Sequence, residues 1–195
     1  PSREDFDAAF AEDLLGVLPD KRDPAIAEHV TRYLAHPRVR YAALAALARV
    51  GGEAARVRLV DALENPDDAL RAVALSELRR LRFIDEAVVG WIERLLSARQ
   101  GSDDLRASAA AALADVPAAL RARTIALLGK ALEGKRGLLA TLRGDGTEES
   151  TGVLIAMARS MLQLDRAEGT RLIRARATKA DPDLRARLTA LLDGK

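Results

Sequence analysis

The residues of this chain that could do chemistry are few and isolated. Its 195 residues include no cysteine, which excludes disulfide bonds, thiolate metal ligands and cysteine nucleophiles. The only two histidines, His29 and His36, are seven residues apart, whereas two ligands of one metal ion on a helix would be three or four residues apart. We therefore predict no metal site and no cofactor, with His29 on a helix and His36 in the turn before Pro37.

Two other patterns could indicate chemistry. Acidic residues stand side by side at Asp67–Asp68, Asp103–Asp104 and Glu148–Glu149, but each pair precedes a predicted helix, where carboxylates favour the positive end of the helix dipole. The stretch Gly144–Thr147 is glycine-rich, but no strand precedes it and no Lys-Ser or Lys-Thr follows it, so a flexible loop is favoured over a phosphate-binding loop. The motifs of serine hydrolases, P-loop proteins and zinc proteases are also missing from the sequence. We predict a protein that is not an enzyme.

The composition indicates a folded protein with a weak overall electrostatic field. Apolar residues make up 49% and charged residues 31%, and the net charge is +2. The charge is uneven, because residues 1–98 carry 14 bases and 17 acids while residues 99–195 carry 17 bases and 12 acids. The longest uncharged run, Ser150–Ala158, is too short for a membrane-spanning helix, and no secretion signal opens the chain, so we expect a cytoplasmic protein without a membrane partner.

A sequence pattern typical of a helix recurs four times along the chain. It reads VRYAALAAL, LRAVALSEL, LRASAAAAL and LRARLTALL, with its arginine at Arg40, Arg71, Arg106 and Arg185. If the arginine is position zero, the residues at positions three, four and seven are small or apolar and share one helix face. The spacings of 31 and 35 residues suit a two-helix repeat.

Two degenerate copies complete the series. Ser150 at position zero stands 35 residues before Arg185, and Asp7 at position zero stands 33 residues before Arg40. Asp7 places Phe10, Ala11 and Leu14 at positions three, four and seven, and we expect them to face a neighbouring helix. The copy at Ser150 follows a glycine-rich insertion over residues 134–149, which we predict to be a loop with a short helical turn at Leu138–Leu142. Because this copy lacks the arginine, we expect a kink or hinge there.

A second helix is expected after each of the first five. The sequence predicts second helices at Pro24–Ala35, Glu53–Glu64, Glu86–Ala98, Ala118–Glu133 and Arg166–Lys179. Prolines at positions 37, 66 and 182 indicate helix starts. No segment alternates like a strand. The prediction is an all-α chain of five helix pairs and a closing helix, in one domain over residues 1–195.

In these copies an Asp or Pro is followed by Leu-Arg or Val-Arg and then by an alanine-rich helix. This pattern resembles HEAT repeats, and most closely the short bacterial kind also found in phycobilisome lyase subunits. The resemblance spans about residue 7 to 192 and is carried by residues 36–40, 66–71, 103–106 and 181–185. It implies a right-handed α-solenoid whose second helices line a concave face. It also implies that the repeat arginines bond to carbonyl groups or acids of the adjacent repeat. We prefer this structural role to the alternative, in which the arginines form a ladder that binds a ligand.

The fold class and the missing motifs favour a scaffold or adaptor that binds another protein, since a solenoid leaves an extended concave surface. The predicted partner-binding residues are charged residues of the second helices: Arg58, Asp61, Glu93, Arg94, Arg123, Lys130, Arg171 and Arg174.

Two alternatives stay open. The segment Arg159–Lys179 has six bases and two acids, which suits binding to nucleic-acid phosphates as well as a solvated helix face. The other is an enzyme subunit of HEAT type, a bilin-lyase partner or a DNA-glycosylase relative. The glycosylases place aromatic residues and an acid on the concave face, and Trp91 with Glu93 would be the counterparts. Trp91 is at helical spacing from Val88 and Leu95, however, so packing in the core is favoured over a binding role.

Overall fold

In the computed structural model the described residues are 3–19, 21–133 and 149–194, with side chains from residue 9 onward. All regular structure in these ranges is helical, and they contain no strand, which confirms the all-α prediction. Residues 134–148 lie outside the described residues, as do the loop and the turn at Leu138–Leu142 predicted there.

The chain divides into two compact units, Pro1–Phe83 and Ile84–Lys195. The helices of the first unit are α1 (Arg3–Gly16), α2 (Pro24–Thr31), α3 (Arg40–Val50), α4 (Gly52–Leu63) and α5 (Asp68–Arg80). A 3-10 turn, Arg32–Ala35, continues α2, so that the predicted helix over residues 24–35 is α-helical only in its first part. In this unit α3 packs against α1 and α2, which precede it in the sequence, and against α4 and α5, which follow it.

The second unit contains six helices among its described residues. They are α6 (Glu86–Ala98), α7 (Asp103–Ala112), α8 (Ala118–Glu133), α9 (Thr151–Leu164), α10 (Arg166–Ala177) and α11 (Pro182–Leu192). Each helix contacts the one two places on: α6 packs on α8, α7 on α9, α8 on α10 and α9 on α11. Sequence neighbours pack as well, as in α6 with α7 and α10 with α11.

Short polar side chains start most of these helices. In seven helices an Asp or Ser at the N-cap accepts hydrogen bonds from the first-turn backbone N–H groups, which have no partner within the helix; these caps are Asp23, Asp67, Asp85, Ser102, Ser150, Asp165 and Asp181. Asp68, Asp103 and Asp104 occupy first turns, as the dipole argument predicted. Glu149 differs, because its carboxylate accepts hydrogen bonds from an arginine of another helix.

The repeat positions form the core in the inner copies. Positions three, four and seven are buried in the copies that begin at Arg40, Arg71, Arg106 and Ser150. The first copy departs from this prediction: Ala11 is half-buried, but Phe10 and Leu14 are exposed over 60% and 52% of their surface. The contact with the core is made instead by Leu15 and Ala11 of α1 and by Leu18, which follows the helix. The prediction that Phe10 and Leu14 face a neighbouring helix is therefore wrong.

Alanine at the repeat positions lets two helices of the second unit approach closely. Ala109, Ala110 and Ala112 of α7 are fully buried, and the Ser160 hydroxyl of α9 donates a 2.8 Å hydrogen bond to the Ala110 carbonyl. Small side chains reduce the distance between helix axes. A buried hydroxyl needs a hydrogen-bond partner, and the close approach brings the Ala110 carbonyl within reach of Ser160. The copy at Ser150, where we expected a kink or hinge, is thus bound to the preceding copy through its helix body.

Candidate functional site

The first repeat arginine, Arg40, belongs to a three-residue cluster that joins α3 to α5. Its Nη2 donates to the Asp67 carboxylate and, at 3.2 Å, to the hydroxyl oxygen of Tyr41. The Tyr41 hydroxyl in turn donates to Asp67 Oδ2 at 2.6 Å. Because Asp67 caps α5, the cluster fixes the start of the next copy on the first turn of α3.

Hydrogen bonds dominate the electrostatics of this cluster. The Tyr41 hydroxyl holds the pKa of the Asp67 carboxyl below its usual range, and the backbone N–H groups of Ala69 and Leu70 and the charge of Arg40 lower it further. The same hydroxyl raises the pKa of the Arg40 guanidinium, with a smaller contribution from the charge of Asp67. The carboxylate is therefore held ionised as a structural acceptor.

Arg106 makes the most buried of the repeat-arginine contacts. Its Nε and Nη2 lie 3.1 and 3.0 Å from Glu149 Oε1, and the two side chains are exposed over only 10% and 9% of their surface. Nη1 donates to the Gly101 carbonyl at 2.6 Å, and Nη2 also reaches Asp103 at 2.6 Å. The planar guanidinium thus uses both of its edges, which suits arginine and not lysine.

The remaining repeat arginines bond differently from each other. Arg71 pairs with Asp68 in the first turn of its own helix. Arg185 donates from Nε and Nη2 to the carbonyl oxygens of Ala177 and Ala180, at 3.1 and 3.0 Å, and so connects α11 to the end of α10. Arg40 and Arg106 reach the copy that follows, Arg185 reaches the helix that precedes it, and Arg71 stays within its copy. All four guanidinium groups are engaged inside the chain, which supports a structural role over a ligand ladder.

The charged residues predicted for partner binding fall into separate groups. The first unit holds Arg58 and Asp61, which are exposed neighbours on α4 with 3.8 Å between Nη1 and Oδ2. Residues Glu93, Arg94, Arg123, Lys130, Arg171 and Arg174 all belong to α6, α8 and α10 of the second unit. Within that unit, the structure brings part of the predicted set onto contacting helices.

Glu93 and Arg123 form an ion pair between α6 and α8. Arg123 Nη2 and Nε lie 2.7 and 3.2 Å from Glu93 Oε2, and Nη1 lies 3.5 Å from Glu86 Oε1. The hydrogen bond to Glu93, followed by the charges of Glu93 and Glu86, raises the pKa of the Arg123 guanidinium. Both partners remain substantially exposed, so the pair presents charge to solvent as well as linking two helices.

Arg171 forms a second exposed pair, within α10. Its Nε and Nη2 lie 2.7 and 2.5 Å from the two carboxylate oxygens of Glu168, whose pKa is lowered by this hydrogen bond. The pKa of Arg171 is raised by Glu168 and, more weakly, by the charge of Glu133 at the end of α8. Lys130 and Arg174 are exposed and make no ion pair with another described residue, while Arg94 is exposed and does have a partner.

Two further residues, Trp91 and His29, were considered for other chemistry. Trp91 is exposed over only 5% of its surface and packs in the core, as its spacing predicted. His29 is exposed on α2, with its ring edge-on to Tyr33 at 6.0 Å between centroids. Among the described residues, no three His, Asp or Glu side chains are grouped so that they could hold a metal ion. The described ranges also contain no helix that is both long and apolar enough to cross a membrane.

No family model matches the chain, and no curated protein matches it.

Sequence reasoning missed two residues of these clusters. Tyr41 directly follows the repeat arginine, and Glu149 directly precedes position zero of the Ser150 copy. Either could have been found by asking which polar residue beside position zero is able to reach an arginine one copy away. The helix-dipole argument did not predict this contact, since Glu149 lies 43 residues from Arg106 in the sequence.

Proposed function

We propose that this chain is a non-catalytic scaffold or adaptor that binds another protein, built as a right-handed α-solenoid of HEAT-like helix pairs in one continuous domain. The observation that supports it most is the alternating contact pattern of the second unit, where each helix packs on the one two places along as well as on its neighbour. Repeat arrays bury their apolar stripes in this way and leave one face of each row to solvent.

The proposed binding surface is the exposed side of α6, α8 and α10, and we name it the second-helix surface. Its charged residues, from the set predicted for partner binding, are Glu93, Arg94, Arg123, Lys130, Arg171 and Arg174. Ion pairs occupy Glu93, Arg123 and Arg171, whereas Lys130 and Arg174 make no pair with another described residue. A protein with acidic side chains opposite Lys130 and Arg174 would fit this mixed surface, because complementary charge selects and orients a partner.

Arg58 and Asp61 extend the proposal to the first unit as a separate contact. They are exposed on α4 and lie near each other, so they offer one charge of each sign. Their variants should therefore be tested apart from those of the second-helix surface.

Affinity capture from the native cell extract, quantified by mass spectrometry, tests the proposal. The wild-type chain should enrich a defined protein, and Lys130→Glu combined with Arg174→Glu should reduce that enrichment at least about tenfold. Arg187→Glu is the control, because Arg187 is also exposed but lies on α11 and pairs with Asp183 at 3.1 Å. Enrichment that is absent, or that falls equally in the control, contradicts the proposal.

Nucleic-acid binding is the second candidate function, and one observation favours it. Arg159, Arg166, Arg174 and Lys179 are exposed and form no ion pair with other described residues, so their charge is available to phosphate groups. Binding to an oligonucleotide should then weaken steeply as salt rises, and Arg174→Glu should flatten that slope. A slope near zero excludes this candidate.

The glycosylase type of enzyme subunit receives no support from the site. The aromatic residue it needs, Trp91, is buried in the core, and the acid it needs, Glu93, is bonded to Arg123. A base-handling site requires an aromatic ring open to the nucleic acid.

A further inference from the structure

The first helix of the chain leaves a row of large apolar side chains uncovered. Phe10, Leu14 and Val17 are exposed over 60%, 52% and 79% of their surface. Their spacing of four and three residues puts them on one side of α1, and the Val17 N–H still bonds to the Asp13 carbonyl, so the helical turn reaches Val17. We call these three residues the α1 apolar row.

The inner copies of the repeat show what such a row normally contacts. The residues of α3 that correspond to Phe10 and Leu14 are Ala43 and Leu47, exposed over 0% and 1% of their surface. In the first unit α3 packs against α1 on one side and α5 on the other. The α1 apolar row therefore occupies register positions that another helix covers elsewhere in the same unit, and its side-chain spacing is that of a helix-packing ridge.

Charge restricts what can cover this row. The segment Arg3–Gly16 has five acids and one base. Asp13, which is exposed, follows Phe10 by three residues and precedes Val17 by four, so it borders the row on the helix surface. A second copy of α1 would bring two acidic segments together, and an anionic lipid surface would be repelled in the same way. A helix that carries bases beside its apolar face meets neither obstacle.

We propose that the α1 apolar row is a docking surface for a basic amphipathic helix of another protein. Apolar side chains of that helix pack between Phe10, Leu14 and Val17, and a lysine or arginine at its edge pairs with Asp13. This surface goes beyond the proposed function, because it lies on α1 of the first unit and shares no residue with the second-helix surface.

A synthetic peptide provides a defined probe. A labelled helical peptide of about 18 residues, or about five turns, built from leucine and lysine with the leucines on one face, is titrated with the whole chain by fluorescence anisotropy. A matched peptide with glutamate in place of lysine measures the charge requirement. The lysine peptide should bind, and the glutamate peptide should bind at least about tenfold more weakly.

Three variants locate the binding. The double variant Phe10→Ser with Leu14→Ser should bind the lysine peptide at least about tenfold more weakly, since it lacks two apolar contacts. Asp13→Lys leaves the row intact and should reduce the difference in affinity between the lysine peptide and the glutamate peptide. Val57→Ser is the matched control, because Val57 is equally exposed on α4 of the same unit, and it should bind as the wild type does.

Three results would overturn the proposal. They are no binding of the lysine peptide, an equal loss in Val57→Ser, and a peptide preference that Asp13→Lys leaves unchanged. Sedimentation of the chain alone adds a fourth: a dimer that Phe10→Ser with Leu14→Ser dissociates would assign the row to a second copy. Neither these variants nor their outcomes involve the second-helix surface, so the two proposals stand or fall separately.

Discussion

Arg106 and Glu149 form a buried ion pair across 43 residues of sequence. Two nitrogens of the guanidinium converge on one carboxylate oxygen at 3.0 and 3.1 Å, and both side chains are about nine-tenths buried. This pair joins the start of α7 to the residue that precedes the cap of α9. It connects two copies of the repeat on either side of residues 134–148.

Removing the negative charge of Glu149 should destabilise the second unit. Glu149→Gln leaves a buried guanidinium short of its counter-charge, and we expect a loss of about 2 kcal/mol in the free energy of unfolding. Urea denaturation followed by circular dichroism measures it. Glu168→Gln is the control, because its pair with Arg171 is far more exposed and should contribute much less. Equal effects in the two variants would show that Glu149 has no special role.

Tyr41 should control the acid sensitivity of the Arg40–Asp67 cluster. The folded protein holds the pKa of Asp67 below its unfolded value of about 3.9, so the carboxylate contributes stability above that pH and loses it as the pH falls through the lower, folded pKa. Tyr41→Phe removes the largest cause of the depression. We expect the pKa of Asp67, followed by carboxyl NMR, to rise, and the difference in stability between neutral and acid pH to shrink.

Tyr33→Phe supplies the matched control for that experiment. Tyr33 is also half-buried, but its contact is an edge-on packing against the His29 ring and not a hydrogen bond to Asp67. This variant should leave the titration of Asp67 unchanged. A pKa that moves as much in Tyr33→Phe as in Tyr41→Phe would contradict the assignment.

Gly169 permits the close approach of α10 to α9. A Cβ added at Gly169 would lie 3.1 Å from the backbone N and 3.2 Å from the Cα of Leu162, whereas one added at Gly90 would meet its nearest atom at 4.0 Å. Alanine favours a helix over glycine by about 1 kcal/mol. Gly90→Ala should therefore raise the melting temperature, and Gly169→Ala should lower it, because backbone atoms of α9 must shift. A stabilising Gly169→Ala would show that the two helices separate without cost.

Arg123 should matter for binding and not for folding. Its pair with Glu93 links α6 to α8 but remains exposed, and exposed ion pairs contribute little to stability. We expect Arg123→Ala to leave the melting temperature unchanged while it alters capture of the proposed protein partner. A clear fall in melting temperature would instead make Arg123 a structural tie between second helices.

For the described residues, the helical segments could be predicted from the sequence. The bounds of α6 and α8 agree with their prediction to the residue, because apolar spacing and capping residues such as Asp85 act within one or two turns. The burial of Trp91 followed from the same spacing, since its neighbours at helical intervals are apolar.

Tertiary structure alone decided which side chains meet between copies and which apolar residues stay uncovered. Glu149 pairs with Arg106 because the packing of α7 on α9 brings together residues that are far apart in the sequence. Phe10 and Leu14 stand at repeat positions that are buried in the inner copies, yet they are exposed, because Ala11, Leu15 and Leu18 make the contacts with the core instead. Helical periodicity indicates which face of a helix is apolar, and only the arrangement of the neighbours determines whether that face is covered.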